Sequence, residues 1–85
     1  MKQFNYTVTD ELGIHARPAG LLIREASKFD SEITIECGGK KADAKRLFAV
    51  MGMGVKHGST VTVTVSGKDE DEAADEIEKF LKANL

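Results

Sequence analysis

Eighty-five residues, 41% hydrophobic and 31% charged, supply one small core and carry no disorder signature. A single cysteine rules out a mini-protein stapled by internal disulfides, and no apolar run approaches the ~20 residues needed to span a bilayer. A net charge of −2 argues against nucleic acid as the main partner. The opening Met1-Lys2-Gln3-Phe4-Asn5 is not a signal peptide, so one cytoplasmic domain over residues 1–85 is expected.

Residues 3–9 alternate, with Phe4, Tyr6 and Val8 on one face and Gln3, Asn5 and Thr7 on the other, which predicts a half-buried strand broken by Asp10-Glu11-Leu12-Gly13. From His15 the period lengthens. Ala19, Leu22, Ile23, Ala26 and Phe29 recur at helical spacing opposite Arg17, Gly20, Arg24 and Lys28, which predicts a helix over 16–28. Pro18 falls in its first turn, where a missing N–H costs nothing.

Ile33, Ile35 and Cys37 then alternate with Thr34 and Glu36. Gly38-Gly39 is a two-residue hairpin signal, and a short strand returns over about 40–44. Leu47, Phe48, Val50 and Met51 predict a short helix stopped by Gly52 and Gly54. Residues 60–66 are the clearest strand, with Val61, Val63 and Val65 turned inward. A final helix starts with Asp69 and Glu72, an acidic capping box, and buries Ala73, Ala74, Ile77, Phe80 and Leu81. The order βαββαβα, with every strand apolar on one face, predicts an α+β fold of two layers, an antiparallel sheet covered on one side by helices.

Charge is unevenly spread. Residues 1–67 carry nine Lys/Arg against seven Asp/Glu, whereas 68–85 carry three against seven. A slightly basic body with an acidic final helix suits an acidic protein partner on one side.

The chemistry-bearing segment is Gly13-Ile14-His15-Ala16-Arg17-Pro18, where a strand-to-helix loop ends. Helix starts leave backbone N–H groups open, and these bind anions. Arg17 adds a permanent cation whose fork fits phosphate oxygens. Positive potential there favours a neutral imidazole on His15, the form that attacks phosphorus, and stabilises a dianionic phosphoryl product. A histidine so placed can carry a phosphoryl group.

Gly13-Ile14-His15-Ala16-Arg17-Pro18-Ala19, at this distance from the N-terminus, resembles the active-site signature of the HPr family, the histidine-containing phosphocarriers of the phosphoenolpyruvate–sugar phosphotransferase system. Residues 40–54, Lys-Lys-Ala-Asp-Ala-Lys-Arg-Leu-Phe-Ala-Val-Met-Gly-Met-Gly, resemble the family's second signature. The likeness runs over essentially the whole chain. It implies an open-faced β-sandwich with a four-stranded antiparallel sheet and three helices on one face, and a phosphoryl group carried on Nδ1 of His15. It also implies oxyanion contacts from Arg17 and from the backbone of Ala16, Arg17 and Pro18. The implied donor is phosphorylated enzyme I and the implied acceptor a histidine of enzyme IIA, with a monomeric carrier, no cofactor, no metal and no membrane insertion.

Lys45, Arg46, Leu47, Phe48 and Met51, with Gly20 and Arg24, are expected to form the docking face, an apolar knob with a basic rim. Two positions depart from the family pattern. Arg46 stands where many Gram-positive members have a serine that a kinase phosphorylates, so serine-based regulation is not expected here, and Gly20 replaces a larger small residue. A regulatory binding module, or a relay serving nitrogen control, is the alternative reading. His57 is expected in an exposed loop and Cys37 as a small buried hydrophobe, and the glycine pairs lack the lysine and hydroxyl of a P-loop.

Overall fold

In a computed structural model describing residues 1–85, the elements are β1 (Lys2–Thr7), α1 (Ala16–Ala26), β2 (Glu32–Cys37), β3 (Lys40–Asp43), α2 (Leu47–Met51), β4 (Thr60–Ser66) and α3 (Glu70–Asn84). The type and order of every element match the sequence expectation, and boundaries move by only a few residues. The expected helix over 16–28 ends at Ala26, because Phe29 N–H turns back to the Ala26 carbonyl and places the Phe29 ring in the core from a turn.

The sheet runs β1-β4-β2-β3, and every neighbouring pair is antiparallel. Register explains why its two faces differ. Phe4 lies opposite Val63, Val63 opposite Ile35, and Ile35 opposite Ala42, a continuous apolar row across four strands. The adjacent row is Gln3, Thr64, Thr34 and Asp43, polar throughout and on the other face. Gln3 Nε2 donates to Thr64 Oγ1 at 3.1 Å and Thr62 Oγ1 donates to Asn5 Oδ1 at 2.8 Å, so this open face is laced by side-chain hydrogen bonds. Gly38 and Gly39 have φ of 57° and 82°, the pair of positive values that a tight two-residue hairpin demands.

Helices cover the apolar face. Leu22 and Ala26 of α1, Val50 of α2, and Ala73, Ile77 and Leu81 of α3 join Ile33, Ile35, Val61, Val63 and Val65 in one buried cluster. The i, i+4, i+8 spacing of Ala73, Ile77 and Leu81 puts all three on one stripe of α3. Cys37 departs from expectation: it is half-exposed at the end of β2, beside the hairpin and at the margin of the core.

The acidic capping box does not form. Asp69 has the N-cap position of α3 but makes no side-chain cap. Its carboxylate instead accepts the N–H groups of Asp30 at 2.9 Å and Ser31 at 3.0 Å, and the Ser31 hydroxyl as well. Three donors presented by the α1–β2 turn outcompete the local amides of α3. The Ser31 hydroxyl, then the Asp30 N–H, hold the Asp69 carboxyl below the usual carboxylate range. Because the native value is the lower one, this stabilisation is complete above the range of an unfolded aspartate and disappears as pH falls through the native value. In urea titrations Asp69→Asn is therefore expected to be less stable than wild type at pH near 7, with the gap closing below about pH 4. A gap that stays constant down to the acid limit would refute the clamp.

Candidate functional site

The loop between β1 and α1 is stitched to its surroundings by the main chain. Val8 N–H donates to the Ser59 carbonyl at 2.9 Å, and Gly58 N–H returns to the Val8 carbonyl at 2.8 Å. Thr9 and Asp10 N–H both donate to the Leu85 main-chain oxygen, at 2.6 and 2.8 Å, which draws the end of α3 against the loop. Gly13 N–H closes a turn onto the Asp10 carbonyl at 3.0 Å, and Ile14 N–H then reaches the Val55 carbonyl at 3.1 Å while its side chain enters the core. The loop is thus fixed on both sides just before His15.

His15 is the N-cap of α1, in extended backbone conformation, and its carbonyl accepts the first helical hydrogen bond, from Ala19 N–H at 2.9 Å. Its side chain makes no cap. The Ala16 and Arg17 amides have no acceptor within the chain and Pro18 has no N–H to satisfy, so two donors stay open at the positive end of the helix dipole. No acidic residue occupies the first turn to compete for them.

The His15 ring, 38% exposed, lies in an open depression of about 250 Å³ lined also by Asp10, Arg17, Pro18, Leu21 and Asn84. Arg17 is exposed and enters no salt bridge, so its guanidinium is available to an anion. The structure therefore brings together His15, Arg17 and the amides of Ala16 and Arg17, as expected, while Pro18 is buried and shapes the first turn. Together these groups can hold a dianionic tetrahedral group beside a nucleophilic nitrogen.

Three lining residues were not foreseen. Asp10, expected only as a strand breaker, places Oδ1 at 3.7 Å from Nε2 of His15, so the site is not purely cationic. Asn84 and Leu21 reach the rim because α3 ends against the loop and because Leu21, on the outer side of α1, is partly exposed. The course of α3 alongside β1, from Glu70 and Asp71 beside Met1 and Lys2 to Leu85 beside Thr9 and Asp10, is encoded by no local motif and accounts for Asn84.

The expected docking residues are spread over α1, the turn before α2 and α2 itself, and the two helices pack side by side. Phe48 is 85% exposed and Met51 37%, whereas Leu47 is half-buried against the core. Arg24 and Arg46 are exposed, Arg46 with Nε 3.9 Å from Asp43. Lys45 differs from expectation: it is half-buried and its Nζ donates to the Phe29 carbonyl at 2.7 Å, so its charge is committed to the α1–β2 turn. Arg46 remains on the basic rim, and Lys40 and Lys41 of β3 extend it along the depression beside Phe48. Nothing lies within 4 Å of where a Gly20 Cβ would stand. His57 is in an exposed loop, as expected. No helix is long and apolar enough to cross a membrane, and no group of three or more His, Cys, Asp or Glu side chains is gathered to hold a metal ion.

Comparison with known proteins agrees with this arrangement. Residues 2–83 match the family model described as the PTS HPr component phosphorylation site. Among solved structures, a histidine-containing phosphocarrier protein from Mycoplasma superposes with a TM-score of 0.94 at 39% identity, covering 96% of this chain and 93% of that one. HPr-C-His from Thermoanaerobacter tengcongensis gives 0.93 at 36% identity, covering 98% and 93%. Crh, the catabolite repression protein of Bacillus subtilis, gives 0.78 at 34% identity, covering 100% and 98%, in a structure described as a swapped, intertwined dimer. A match over nearly the full length, a shared fold at these identities and a histidine open at the start of α1 place the chain in the HPr family of phosphocarrier proteins.

Proposed function

We propose that residues 1–85 act as one cytoplasmic phosphocarrier domain of the sugar phosphotransferase system, taking a phosphoryl group from phospho-enzyme I onto His15 and passing it to a histidine of enzyme IIA. The observation that carries this reading is the exposed His15 ring beside two open amides and an unpaired arginine. In the accepting step the Nδ1 lone pair attacks phosphorus and a new N–P bond forms. The donor's bond to phosphorus breaks, and its electron pair stays with the donor. The guanidinium of Arg17 and the Ala16 and Arg17 N–H groups stabilise the equatorial oxygens, so positioning and charge do most of the work. No cofactor or metal enters the step.

Arg24, Arg46, Phe48 and Met51, with Gly20 and Leu47, form the docking face in this reading, and Lys45 supports it from below. An apolar knob ringed by cations fits an acidic partner and gives fast, modest binding, as a relay needs. A monomer suits such a relay. The Crh-like match motivates a second reading, a regulatory module that docks through the same face and is switched by phosphorylation of His15.

Incubation with enzyme I and radiolabelled phosphoenolpyruvate tests the first reading. It predicts acid-labile, alkali-stable label confined to the peptide that contains His15, chased off when enzyme IIA is added. Label that forms but does not chase would favour the regulatory module; no label at His15 would remove both.

A further inference from the structure

We propose that Asp10 is a positioning residue that keeps a proton on Nε2 of His15 while phosphorus occupies Nδ1. The inference rests on reading His15 as a phosphoryl carrier and adds what sets the lability of the group it carries. Asp10 Oδ1 stands 3.7 Å from Nε2, and a small rotation of the imidazole would close that to a hydrogen bond. The carboxylate is not free to wander. Its Oδ1 accepts Leu12 N–H at 2.8 Å, the Asp10 N–H is held by the Leu85 oxygen, and the Asp10 carbonyl accepts Gly13 N–H. The ionisable groups lining the depression are Asp10, His15 and Arg17, and Asn84 from α3 is neutral. Arg17 belongs to the same helix start as the open amides, and the one carboxylate among the lining residues faces Nε2.

Charge balance gives this division a consequence. In the neutral ring one nitrogen carries the proton and the other a lone pair, and an acceptor at Nε2 leaves the lone pair on Nδ1. Once Nδ1 bonds phosphorus, a ring still protonated at Nε2 is cationic, and the Asp10 carboxylate offsets that charge. When the N–P bond breaks, its electron pair returns to Nδ1 and the ring departs neutral, with its proton still on Nε2. A ring that had lost the proton would have to depart as an imidazolate, a far poorer leaving group. Asp10 thus holds the phosphoryl group in its transferable form.

The test needs no partner protein. Potassium phosphoramidate phosphorylates accessible imidazoles directly. It is applied in a His57→Gln background to otherwise unaltered protein and to Asp10→Asn and Asp10→Glu, and the isomer is assigned by 15N–31P coupling. Release of inorganic phosphate is then followed from about pH 5 to 9. Asp10→Asn keeps an acceptor for Leu12 N–H, so its urea midpoint should match that of the parent. The expected result is an Nδ1 isomer throughout and hydrolysis of Asp10→Asn about threefold slower on the alkaline limb, as for a half-exposed ion pair. Asp10→Glu should return toward the parent. Superimposable pH profiles, a limb displaced upward in Asp10→Asn, or phosphorus on Nε2 of the parent would each overturn the proposal. Failure of phosphoramidate to label His15 would overturn it too. The carrier reading fails by a different result, the absence of transfer from phospho-enzyme I.

Discussion

With alanine at position 15, phosphoryl transfer from phospho-enzyme I should fall to background, whereas His57→Ala should be labelled as wild type. The two imidazoles differ in surroundings more than in exposure. His57 is in an exposed loop, while His15 sits at open N–H groups with Arg17 in the same depression. Removing the His15 nucleophile leaves an anion site with nothing to form a bond. Arg17→Ala should leave the nucleophile in place but slow transfer by about 10²-fold, the size of effect found when one pre-organised charge donor is lost. Arg17→Lys should recover only part of that, because an ammonium lacks the fork that spans two oxygens. Rapid-quench labelling at fixed enzyme I measures both. Equal labelling of wild type and Arg17→Ala would show that the guanidinium does not meet the phosphoryl group.

Most of the scaffold was legible because each element carries its own periodicity. Val61, Val63 and Val65 alternate, and alternation on a strand cannot be satisfied except with one face covered. Ala73, Ile77 and Leu81 repeat every four residues, and α3 lays that stripe on the sheet. His15 and Arg17 were legible for a related reason: both stand at the start of one helix, a feature that sequence marks locally with Pro18.

What sequence did not reveal depends on partners brought near by topology. Asp69 looks like a local cap because a helix follows it, yet Ser31, 38 positions earlier, is the better partner once the α1–β2 turn lies beside the start of α3. Lys45 reads as a surface cation until the Phe29 carbonyl, 16 positions away, is found beside it. Asp10 is only five residues from His15, but they meet across a turn whose course is set by contacts with residues 55–59 and with Leu85. Side chains on loops obey no period, and the same carboxylate could equally have faced water.

The turn that delivers His15 is the point where fold and function are most tightly joined, and Gly13→Ala should show it. Gly13 has φ +69°, and a Cβ there would stand 2.1 Å from the Val55 carbonyl oxygen and 2.7 Å from Lys56 Cα. Neither obstacle is a flexible side-chain end, so backbone must move. A non-glycine residue in this left-handed conformation costs about 1–2 kcal/mol by itself. Displacing the Val55 segment also strands the Ile14 N–H, worth about 1–3 kcal/mol when a buried donor loses its partner. The sum, about 2–5 kcal/mol, is a large part of the stability of a small domain and corresponds to a fall in Tm of roughly 10–40 °C. Gly20→Ala is the matched control: it lies in α1, its Cβ would meet nothing within 4 Å, and it should gain up to about 1 kcal/mol from helix propensity. Calorimetry on the two variants reads both effects. If Gly13→Ala melted within a few degrees of wild type, the 8–14 loop could not be held against residues 55–59 as described, and the placement of His15 would need another cause.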